Sequence, residues 1–403
     1  MHNIRKITDN LYYIGGNDRK LALFENVYPV PQGISYNSYL LTDEKTVLTD
    51  TADSTIAPLF FENLQHALQG RPLDYLVVHH MEPDHCALIA ELLRLHPETT
   101  VVTNAKAAKM VGQFFDPVPA ERLQLVGEGD TLCSGRHTLQ FVMAPMVHWP
   151  EAMVSYDSAD RILFSADAFG TFGALNGHLY ADEIEFEQEW LPEARRYYAN
   201  IVGKYGVQVQ ALLKKAADLD IRMVCPLHGP VWRSNIDWFV NKYDQWSRYE
   251  PEEQGVLIVY GSIYGHTALA AEKMAATLAD KGIRRIALYD ASHTEVSRLL
   301  AEAFRYSHIV LAAATYNAGI FTPMEQLLTE MKLHNLQKRS VAIIENGTWA
   351  PQSGKAMREI LSQMKQMTLL GDNLSLNSAM KGRQQEDLEA LADMISADMT
   401  TRM

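Results

Sequence analysis

The segment HHMEPDHC, residues 79–86, constrains the fold of this chain more than any other part of the sequence. It follows an apolar run at 76–78 that predicts a buried strand, and Pro83 restricts the backbone of the loop that comes next. The side chains in this loop that could bind a metal ion are His80, Glu82, Asp84 and His85. All are hard or borderline donors that suit a divalent or trivalent cation. A charged surface turn is the alternative, but the pattern favours a metal site at the end of a strand.

Further donors follow apolar runs later in the chain. His148 comes after LQFVMAPMV, Asp167 after RILFSA and His228 after RMVCPL. Taken singly, each has an ordinary structural explanation, because a histidine can be a satisfied core or turn residue and an aspartate can cap a helix. Their recurrence after apolar runs instead favours one site that collects donors from several loops.

Composition narrows the class of protein. The chain has 403 residues, of which 47% are apolar, and this predicts two hydrophobic cores. A formal net charge of −13 disfavours nucleic acid and anionic membranes as partners. The three cysteines, Cys86, Cys133 and Cys225, form no CxxC pair, so a reducing compartment is expected. The polar N-terminus and the lack of an apolar run of about 20 residues predict a cytoplasmic protein without a membrane span.

Hydrophobic patterning divides the chain near residue 250. From Ile7 to about Val240, short β-branched runs alternate with turns and helical stretches, which predicts sheets flanked by helices. The polar segment YEPEEQG, which begins at Tyr249, breaks this pattern. We therefore expect one domain at 1–250 and a second at 251–403.

Strands and helices alternate regularly in the second half. The predicted strands are VLIVY, IALY, HIVLAAA, SVAIIE and a run near 367–374. Predicted helices cover Thr267–Lys281 and begin at Glu295, after Pro323 and at Gly354, with one more at the C-terminus. This alternation predicts a doubly wound parallel sheet that binds ligands at the carboxyl ends of its strands.

The first of these strands leads into the loop GSIYGHT, Gly261–Thr267, and then into a helix. Hydroxyl and amide groups of such a loop can surround a phosphate at the N-terminus of the helix. The loop lacks the GK[ST] ending of a P-loop nucleotide hydrolase. A mononucleotide cradle is therefore the better interpretation.

Together these motifs resemble the flavodiiron proteins, also called A-type flavoproteins. The metallo-β-lactamase fold carries an HxHxDH loop followed by later His, Asp and His ligands, and here Glu82 takes the place of the second histidine. That exchange is the signature of the flavodiiron family, and the resemblance extends to NDRK, FENVYPVPQGISYNSYLL and RRYYANI. The implied fold class is α/β, with a metallo-β-lactamase-like αββα sandwich followed by a flavodoxin-like doubly wound parallel sheet. A carboxylate is a harder and more negative donor than imidazole, which favours iron over zinc.

The resemblance implies a role for each metal donor. One non-haem iron is expected at His80, Glu82 and His148, and a second at Asp84, His85 and His228. Asp167 is expected to bridge the two irons. Tyr197 in RRYYANI is implied as a hydrogen-bond or proton donor near the substrate, with a packed helix tyrosine as the alternative.

Two further positions bear on the site. Cys86 directly follows a predicted ligand, and we expect it to be a small buried thiol rather than a ligand. In some relatives the NDRK to FEN segment carries a histidine near the metals, where this sequence has Ala22. Substrate preference is therefore left open.

The same resemblance implies FMN in the second domain, with its ring between the loops ATYNAGIF and ENGTWAP. The expected contacts are Ser262, Ile263, Tyr264, Gly265, His266 and Thr267 in the phosphate loop, Ala314, Thr315, Tyr316, Asn317, Ala318 and Gly319 after the third strand, and Asn346, Gly347, Thr348 and Trp349 after the fourth. Surface packing is the alternative for the aromatic residues of the ring loops. The commoner form of the fourth-strand loop has a smaller residue where this sequence has Glu345. If the Glu345 carboxylate lay near a ring nitrogen, its negative charge would disfavour the anionic reduced flavin.

The implied activity is that of an oxidoreductase that reduces dioxygen to water, nitric oxide to nitrous oxide, or both. Since no rubredoxin module follows residue 403, electrons are expected from an external carrier, such as rubredoxin, through FMN to the diiron site. A head-to-tail homodimer, or a dimer of such dimers, is implied, in which each FMN lies against the partner's irons.

Two other classes stay open. One is a zinc hydrolase with an accessory flavodoxin-like domain, against which Glu82 argues. The other is a noncatalytic electron carrier with a vestigial metal site, against which the complete donor set argues.

Overall fold

The structure is a computed structural model that describes residues 2–401. It divides into two compact units, one formed by residues up to 198 together with 207–244, and the other by 199–206 together with residues from 245 onward. This division differs from the expected 1–250 and 251–403 at residues 245–250 and in the short segment 199–206, which both belong to the second unit. That segment begins in a π-helical turn, and its Asn200 bonds to the second unit by donating to the Ser297 carbonyl at 3.0 Å.

The first unit is built on two mixed sheets. Its strands are β1 (Arg5–Lys6), β2 (Leu11–Tyr13), β3 (Gly16–Asp18), β4 (Leu23–Phe24), β5 (Tyr28–Pro29), β6 (Ile34–Tyr36), β7 (Tyr39–Thr42), β8 (Thr46–Thr49), β9 (Tyr75–Val77), β10 (Thr100–Thr103), β11 (Leu123–Leu125), β12 (Thr131–Cys133), β13 (Thr138–Met143), β14 (Met153–Asp157), β15 (Ile162–Phe164) and β16 (Met223–Cys225). One sheet has the order β1-β2-β7-β8-β9-β10-β11, and the other has the order β12-β13-β14-β15-β16. The pairs β3–β6 and β4–β5 form small separate ribbons.

The two sheets pack face to face, with helices on the outside. Tyr39 on β7 and Phe164 on β15 are both buried and meet with ring centroids 5.7 Å apart. The helices that lie wholly or mainly in this unit are α1 (Ala57–Leu68), α2 (Pro83–Cys86), α3 (Ile89–Leu95), α4 (Ala105–Phe114), α5 (Phe186–Glu189), α6 (Leu191–Tyr197), α7 (Gly206–Ala216) and α8 (Ile236–Ser247). On the outer face of the second sheet, Leu212 of α7 and Val154 of β14 line the same small apolar cavity. Strands β8, β9 and β10 are parallel, as are β15 and β16, so the segments that follow them start from the same edge of each sheet.

The segment after β9 differs from the predicted loop. Pro83–Cys86 forms the short helix α2, with Glu82 in extended backbone conformation at its N-cap position. Proline is favoured in the first turn of a helix because that position needs no N–H donor. As a result, the carboxylate of Asp84 and the ring of His85 project from a helical turn rather than from a loop.

The second unit has the predicted doubly wound parallel sheet. Its strands are β17 (Glu253–Gly261), β18 (Ile286–Asp290), β19 (Tyr306–Tyr316), β20 (Gly319–Ile320), β21 (Ser340–Asn346), β22 (Thr368–Leu369) and β23 (Leu374–Leu376), and its helices are α9 (His266–Asp280), α10 (Val296–Arg305), α11 (Thr322–Leu333), α12 (Ser353–Leu361) and α13 (Gly382–Thr401). The strand order β18-β17-β19-β21-β22 is parallel throughout. The predicted strand near 367–374 is divided into β22 and β23, because Gly371 turns the chain with a φ of +62°.

Candidate metal centre and mononucleotide cradle

The predicted metal donors of the first unit meet in one buried cluster at the edge of its two sheets. They come from the segment after β9 (His80, Glu82), from α2 (Asp84, His85) and from the segments after β13 (His148), β15 (Asp167) and β16 (His228). All but His148 are buried, and the His148 side chain is only 10% exposed. The structure therefore brings together every donor that the sequence predicts.

Asp167 divides this cluster into two groups. Its Oδ2 lies 2.9 Å from His80 Nε2 and 3.1 Å from His148 Nε2. Its Oδ1 lies 3.4 Å from His85 Nε2 and 3.6 Å from His228 Nε2. We call His80, Glu82 and His148 the Oδ2 group, and Asp84, His85 and His228 the Oδ1 group. One carboxylate thus presents a different oxygen to each group, an arrangement that suits two ions held side by side.

Each group contains its own carboxylate in addition to Asp167. In the Oδ2 group, Glu82 Oε2 lies 2.8 Å from His148 Nε2 and 3.6 Å from His80 Nε2. In the Oδ1 group, Asp84 Oδ2 lies 3.2 to 3.3 Å from the Nε2 atoms of both histidines. Each group therefore combines two imidazoles with one carboxylate and one oxygen of Asp167.

Several buried polar atoms of the cluster have no hydrogen-bond partner among residues 2–401. They include both oxygens of Asp84, both oxygens of Asp167 and both ring nitrogens of His80. His80 Nε2 and Asp167 Oδ2 are 2.9 Å apart, so these atoms are close without being aligned for a hydrogen bond. Buried carboxylates without donors are costly unless a cation neutralises them. The donor types and the orphaned atoms together fit a pair of metal ions.

The charges within the cluster shift the pKa values of its members in opposite directions. Burial would raise the pKa of Glu82, but the neighbouring His148 and His80 rings lower it well below its usual range. Burial would lower the pKa of His148, but the Glu82 and Asp167 carboxylates raise it to about 10. Burial would also raise the pKa of Asp167, which the surrounding histidines hold far below its usual value. Without metal ions, the cluster therefore holds protons on histidines that a metal would displace.

Contacts from distant segments fix the backbone around the donors. Asp50 accepts from the His79 backbone N–H at 2.8 Å, and its other oxygen lies 2.5 Å from His79 Nδ1. The opposite ring nitrogen of His79 lies 2.8 Å from Ser155 Oγ on β14, so this side chain connects the two sheets beside the site. Thr51 donates both its N–H and its hydroxyl to the carbonyl of His85. Sequence reasoning did not single out Asp50, Thr51 or Ser155.

Tyr197, which the family resemblance implies near the substrate, lies beside the predicted metal donors. It is fully buried, and its ring centroid lies 5.5 Å from that of His228. Its hydroxyl has no hydrogen-bond partner within the described part of the chain. A Cβ atom on Gly170 would lie 2.9 Å from the Tyr197 ring, so only glycine allows this close approach.

Glu25, in the turn between β4 and β5, is a neighbour of the site that the sequence did not indicate. Glu25 is exposed as a residue, but partial burial of its carboxyl group and the nearby negative charge of Glu82 raise the pKa of Glu25 to about 8. Ala22, where some relatives carry a histidine, is also exposed. Cys86 donates its thiol to the Met81 carbonyl at 3.2 Å, and burial raises its pKa to about 12, as expected of a packed thiol.

A second candidate site opens at the carboxyl edge of the parallel sheet in the second unit. It is a cavity of about 610 Å³ between the three predicted loops. The predicted residues that line it are Ser262, Ile263, Tyr264, His266, Thr267, Ala314, Thr315, Tyr316, Asn317, Ala318, Asn346, Gly347, Thr348 and Trp349. Gly265 and Gly319 are not among the lining residues of the described chain; Gly265 has a φ of +91° and Gly319 pairs with Tyr316 in a tight hairpin.

Solved structures share the fold of this chain. The rubredoxin oxygen:oxidoreductase of the anaerobe Desulfovibrio gigas superposes with a TM-score of 0.92, at 25% sequence identity and 99% coverage of each chain. A flavodiiron protein from Giardia intestinalis has the same fold, with a TM-score of 0.91, 20% identity and coverage of 100% of this chain and 98% of that one. The predicted α/β class, a metallo-β-lactamase-like unit followed by a flavodoxin-like unit, is confirmed.

Sequence comparison decides the family. Residues 34–229 match the model described as ODP family beta lactamase. The anaerobic nitric oxide reductase flavorubredoxin of Escherichia coli is 30% identical over 387 residues, which cover 94% of this chain and 78% of that protein. This chain belongs to the flavodiiron proteins.

The cradle of this flavodiiron protein includes a wall that the sequence did not predict. Ser378 lines the cavity. Its carbonyl accepts from the Asn346 side-chain amide at 2.9 Å, and its N–H donates to the amide oxygen of Asn346 at 3.0 Å. The Ser378 hydroxyl donates to Thr348. Ala350 and Gln352 also line the cavity. No regular strand or helix pattern marks the segment around Ser378, so the sequence contained no signal for this wall.

Glu345 does not line the cradle of the flavodiiron protein. One oxygen accepts from the Gly354 N–H at 2.9 Å, and the other accepts from the Ser375 hydroxyl at 2.6 Å. The carboxylate therefore supports the N-terminus of α12, where a negative charge is favourable. The expected influence of Glu345 on a flavin nitrogen has no basis in this geometry.

Proposed function

We propose that this flavodiiron protein reduces dioxygen to water, nitric oxide to nitrous oxide, or both, at two non-haem irons. The first reaction consumes four electrons and four protons per dioxygen, and the second consumes two of each per pair of nitric oxide molecules. The observation that carries the proposal is the division of the donors by the two oxygens of Asp167. Related proteins named as a rubredoxin oxygen:oxidoreductase and a nitric oxide reductase support this assignment.

The Oδ2 group would hold one iron and the Oδ1 group the other, with Asp167 as the shared ligand. An adjacent pair of irons, when bound, offers open coordination positions and one electron from each ion to a diatomic gas. The protein itself keeps the donor side chains at fixed positions and excludes excess water. Burial of the Asp84 and Asp167 carboxylates achieves both, because neither can swing to solvent without leaving its pocket.

Tyr197 would hold a proton at its hydroxyl for the substrate. Burial, followed by the nearby carboxylates, raises its pKa well above the usual range, so the hydroxyl stays protonated in the metal-free protein. We expect Tyr197→Phe to keep its metal and flavin content but to lower kcat by about tenfold or more. An unchanged kcat for both gases would show that Tyr197 has only a packing role.

The cradle of the second unit would hold FMN. Its phosphate would lie at the N-terminus of α9, where Thr267 and the loop amides are available as donors. Tyr316 and Trp349, which are 46% and 92% exposed, would face the ring. Bound FMN supplies both one-electron and two-electron chemistry, which links a carrier to the irons.

We further propose that rubredoxin or a similar external carrier is the electron donor, and that the protein works in the cytoplasm as a head-to-tail homodimer or a dimer of such dimers. Exposed Tyr264 and Trp349 at the rim of the cradle support a covering partner, since large exposed apolar surfaces are usually covered. Within residues 2–401, no helix combines the length and the apolar character of a membrane span. Light scattering on the holoprotein tests the dimer, and a fully active monomer would contradict it.

The decisive experiment measures iron, zinc and flavin in protein purified without oxygen, followed by gas consumption with reduced rubredoxin. About two irons and one FMN per chain, with dioxygen or nitric oxide consumed, is the expected result. Comparison of the two gases on the same sample ranks the substrates. Zinc in place of iron, without gas consumption, would overturn the proposal in favour of a hydrolase.

A further inference from the structure

Glu151 is a buried carboxylate outside both donor groups. It is 2% exposed, and one of its oxygens, Oε1, accepts from the backbone N–H of Met81 at 2.9 Å. The other oxygen has no hydrogen-bond partner, and no basic side chain forms an ion pair with Glu151, among residues 2–401. A buried carboxylate held by a single backbone amide is costly and calls for a specific role.

The position of this hydrogen bond gives Glu151 that role. Met81 lies between His80 and Glu82, so the donated N–H belongs to the residue that separates two members of the Oδ2 group. Glu151 itself follows the third member, His148, by three residues. One carboxylate therefore joins the two chain segments that together supply the whole Oδ2 group.

The backbone of Glu151 is anchored in turn. Asn104 donates its side-chain amide to the Glu151 carbonyl at 2.7 Å. The same Asn104 caps α4 by accepting from the N–H groups of Lys106 and Ala107. The backbone that carries this carboxylate is thus held by a helix terminus, which suits a residue that positions others.

The Oδ1 group rests on different contacts. Thr51 holds the carbonyl of His85, and the Ser35 carbonyl accepts from His228 Nδ1. Glu151 makes no hydrogen bond to any of these residues within the described chain. Loss of its carboxylate should therefore disturb one half of the metal centre and leave the other half intact.

We propose that Glu151 is a positioning residue for the metal ion held by the Oδ2 group alone. This inference rests on the proposed function only in requiring two metal ions. Removing a residue that orients ligands typically lowers metal affinity by roughly 10- to 100-fold. The weakening should appear at one of the two sites, so a metal titration of the variant should show one site weaker than in the unaltered protein and the other unchanged.

Three variants and a control separate positioning from simple packing. Glu151→Met keeps the length of the side chain but removes the acceptor, whereas Glu151→Gln keeps an oxygen able to accept from Met81. Glu151→Asp keeps the charge but shortens the reach by one methylene. Asp74→Asn is the control, because Asp74 also accepts a backbone N–H, that of Thr46 at 2.9 Å, and lies outside the clusters of metal-binding side chains.

The test is anaerobic titration of the metal-free holoprotein, with FMN bound, using Co²⁺ followed by its visible absorption bands. We expect one tight and one weakened site in Glu151→Met, restoration of both in Glu151→Gln, and no change in Asp74→Asn. Two unaltered sites in Glu151→Met, or equal weakening of both, would overturn the proposal. If Glu151→Met does not fold, Glu151→Asp decides in the same way, since its shortened carboxylate should also weaken one site. Failure of the unaltered protein to bind two ions would instead count against the proposed function.

Discussion

The Nδ1–H of His228 donates to the backbone carbonyl of Ser35 at 2.8 Å. A carbonyl can only accept, so neutral His228 has its lone pair on Nε2. That nitrogen faces Asp84 Oδ2 at 3.2 Å and His85 Nε2 at 3.0 Å. A contact between β6 and the segment after β16 therefore determines which atom of His228 is available to a metal ion.

Exchange of the distinguishing carboxylate should change metal preference. Glu82→His restores the all-imidazole pattern of the zinc hydrolases and removes a hard, negative donor, so zinc should replace iron at part of the centre. Protein produced in medium with both metals is analysed for the ratio of iron to zinc. Glu91→His, at an exposed glutamate on α3, is the control. An unaltered ratio in Glu82→His would contradict the role assigned to this carboxylate.

Loss of the shared carboxylate should remove the magnetic coupling between the two irons. Asp167→Ala removes the group whose oxygens face both donor groups, so spin coupling between the irons should disappear and iron content should fall below two per chain. Electron paramagnetic resonance and metal analysis on the same sample measure both effects. A coupled pair that survives in Asp167→Ala would show that another ligand forms the bridge.

Metal uptake by the metal-free protein should release protons near pH 7. Burial would lower the pKa of His148, but Glu82 and Asp167 raise it from an ordinary 6.5 to about 10, and a metal requires the neutral ring. Affinity should therefore rise as pH increases from 7 toward 9. Calorimetry in two buffers of different ionisation enthalpy counts the protons, and equal heats in both buffers would refute the prediction.

The raised pKa of His148 also predicts how the stability of the metal-free protein depends on pH. Because the folded-state pKa of His148 is raised, its contribution is fully present below 6.5 and is lost as pH rises through about 10. The unfolding midpoint of the metal-free protein should therefore fall between these limits, and metal should reduce that dependence. A midpoint that rises over this range would oppose the assignment.

Arg339 should be one of the most sensitive positions in the second unit. This arginine is fully buried, and its guanidinium donates to five backbone carbonyls, those of Tyr249, Ala303, Phe304, Gln337 and Lys338. Arg339→Met leaves these acceptors without donors and should cost about 3 kcal/mol or more. Denaturant unfolding followed by flavin fluorescence measures the loss. Lys281→Met, which removes an exposed ion pair with Asp393, should cost less than about 1 kcal/mol.

Trp349 should contribute to flavin affinity without supporting the fold. Its side chain is 92% exposed, so Trp349→Ala removes almost no core contact. Loss of an aromatic face against the ring should weaken FMN binding by about tenfold, corresponding to about 1.4 kcal/mol. Flavin titration of the stripped protein gives the dissociation constant, with the exposed Leu333→Ala as the control. If the Trp349 variant and the unaltered protein bound FMN with equal affinity, the ring would not contact Trp349 and would bind elsewhere in the cradle.

Much of the fold and the donor set was available from local patterns in the sequence. Four donors lie in HHMEPDHC, and the other three each follow an apolar run that forms a strand, so contiguous residues carried the signal. The loops of the cradle could be predicted for the same reason, because they follow the strands of a regular parallel sheet. The replacement of a histidine by Glu82 was equally visible, and it indicated iron rather than zinc.

Other features depend on contacts between residues that are far apart in the chain. The two oxygens of Asp167 face different donor groups only because β15 and β16 lie parallel in one sheet and β9 ends beside them in the other. Ser35, Glu151 and Ser378 act through hydrogen bonds to residues between 32 and 193 positions away. Such bonds leave no periodic trace, because sheet register and loop packing, rather than local propensity, decide which side chains meet. The sequence by itself determined the chemistry of the donors, and the tertiary structure decided how they are divided and what holds them in place.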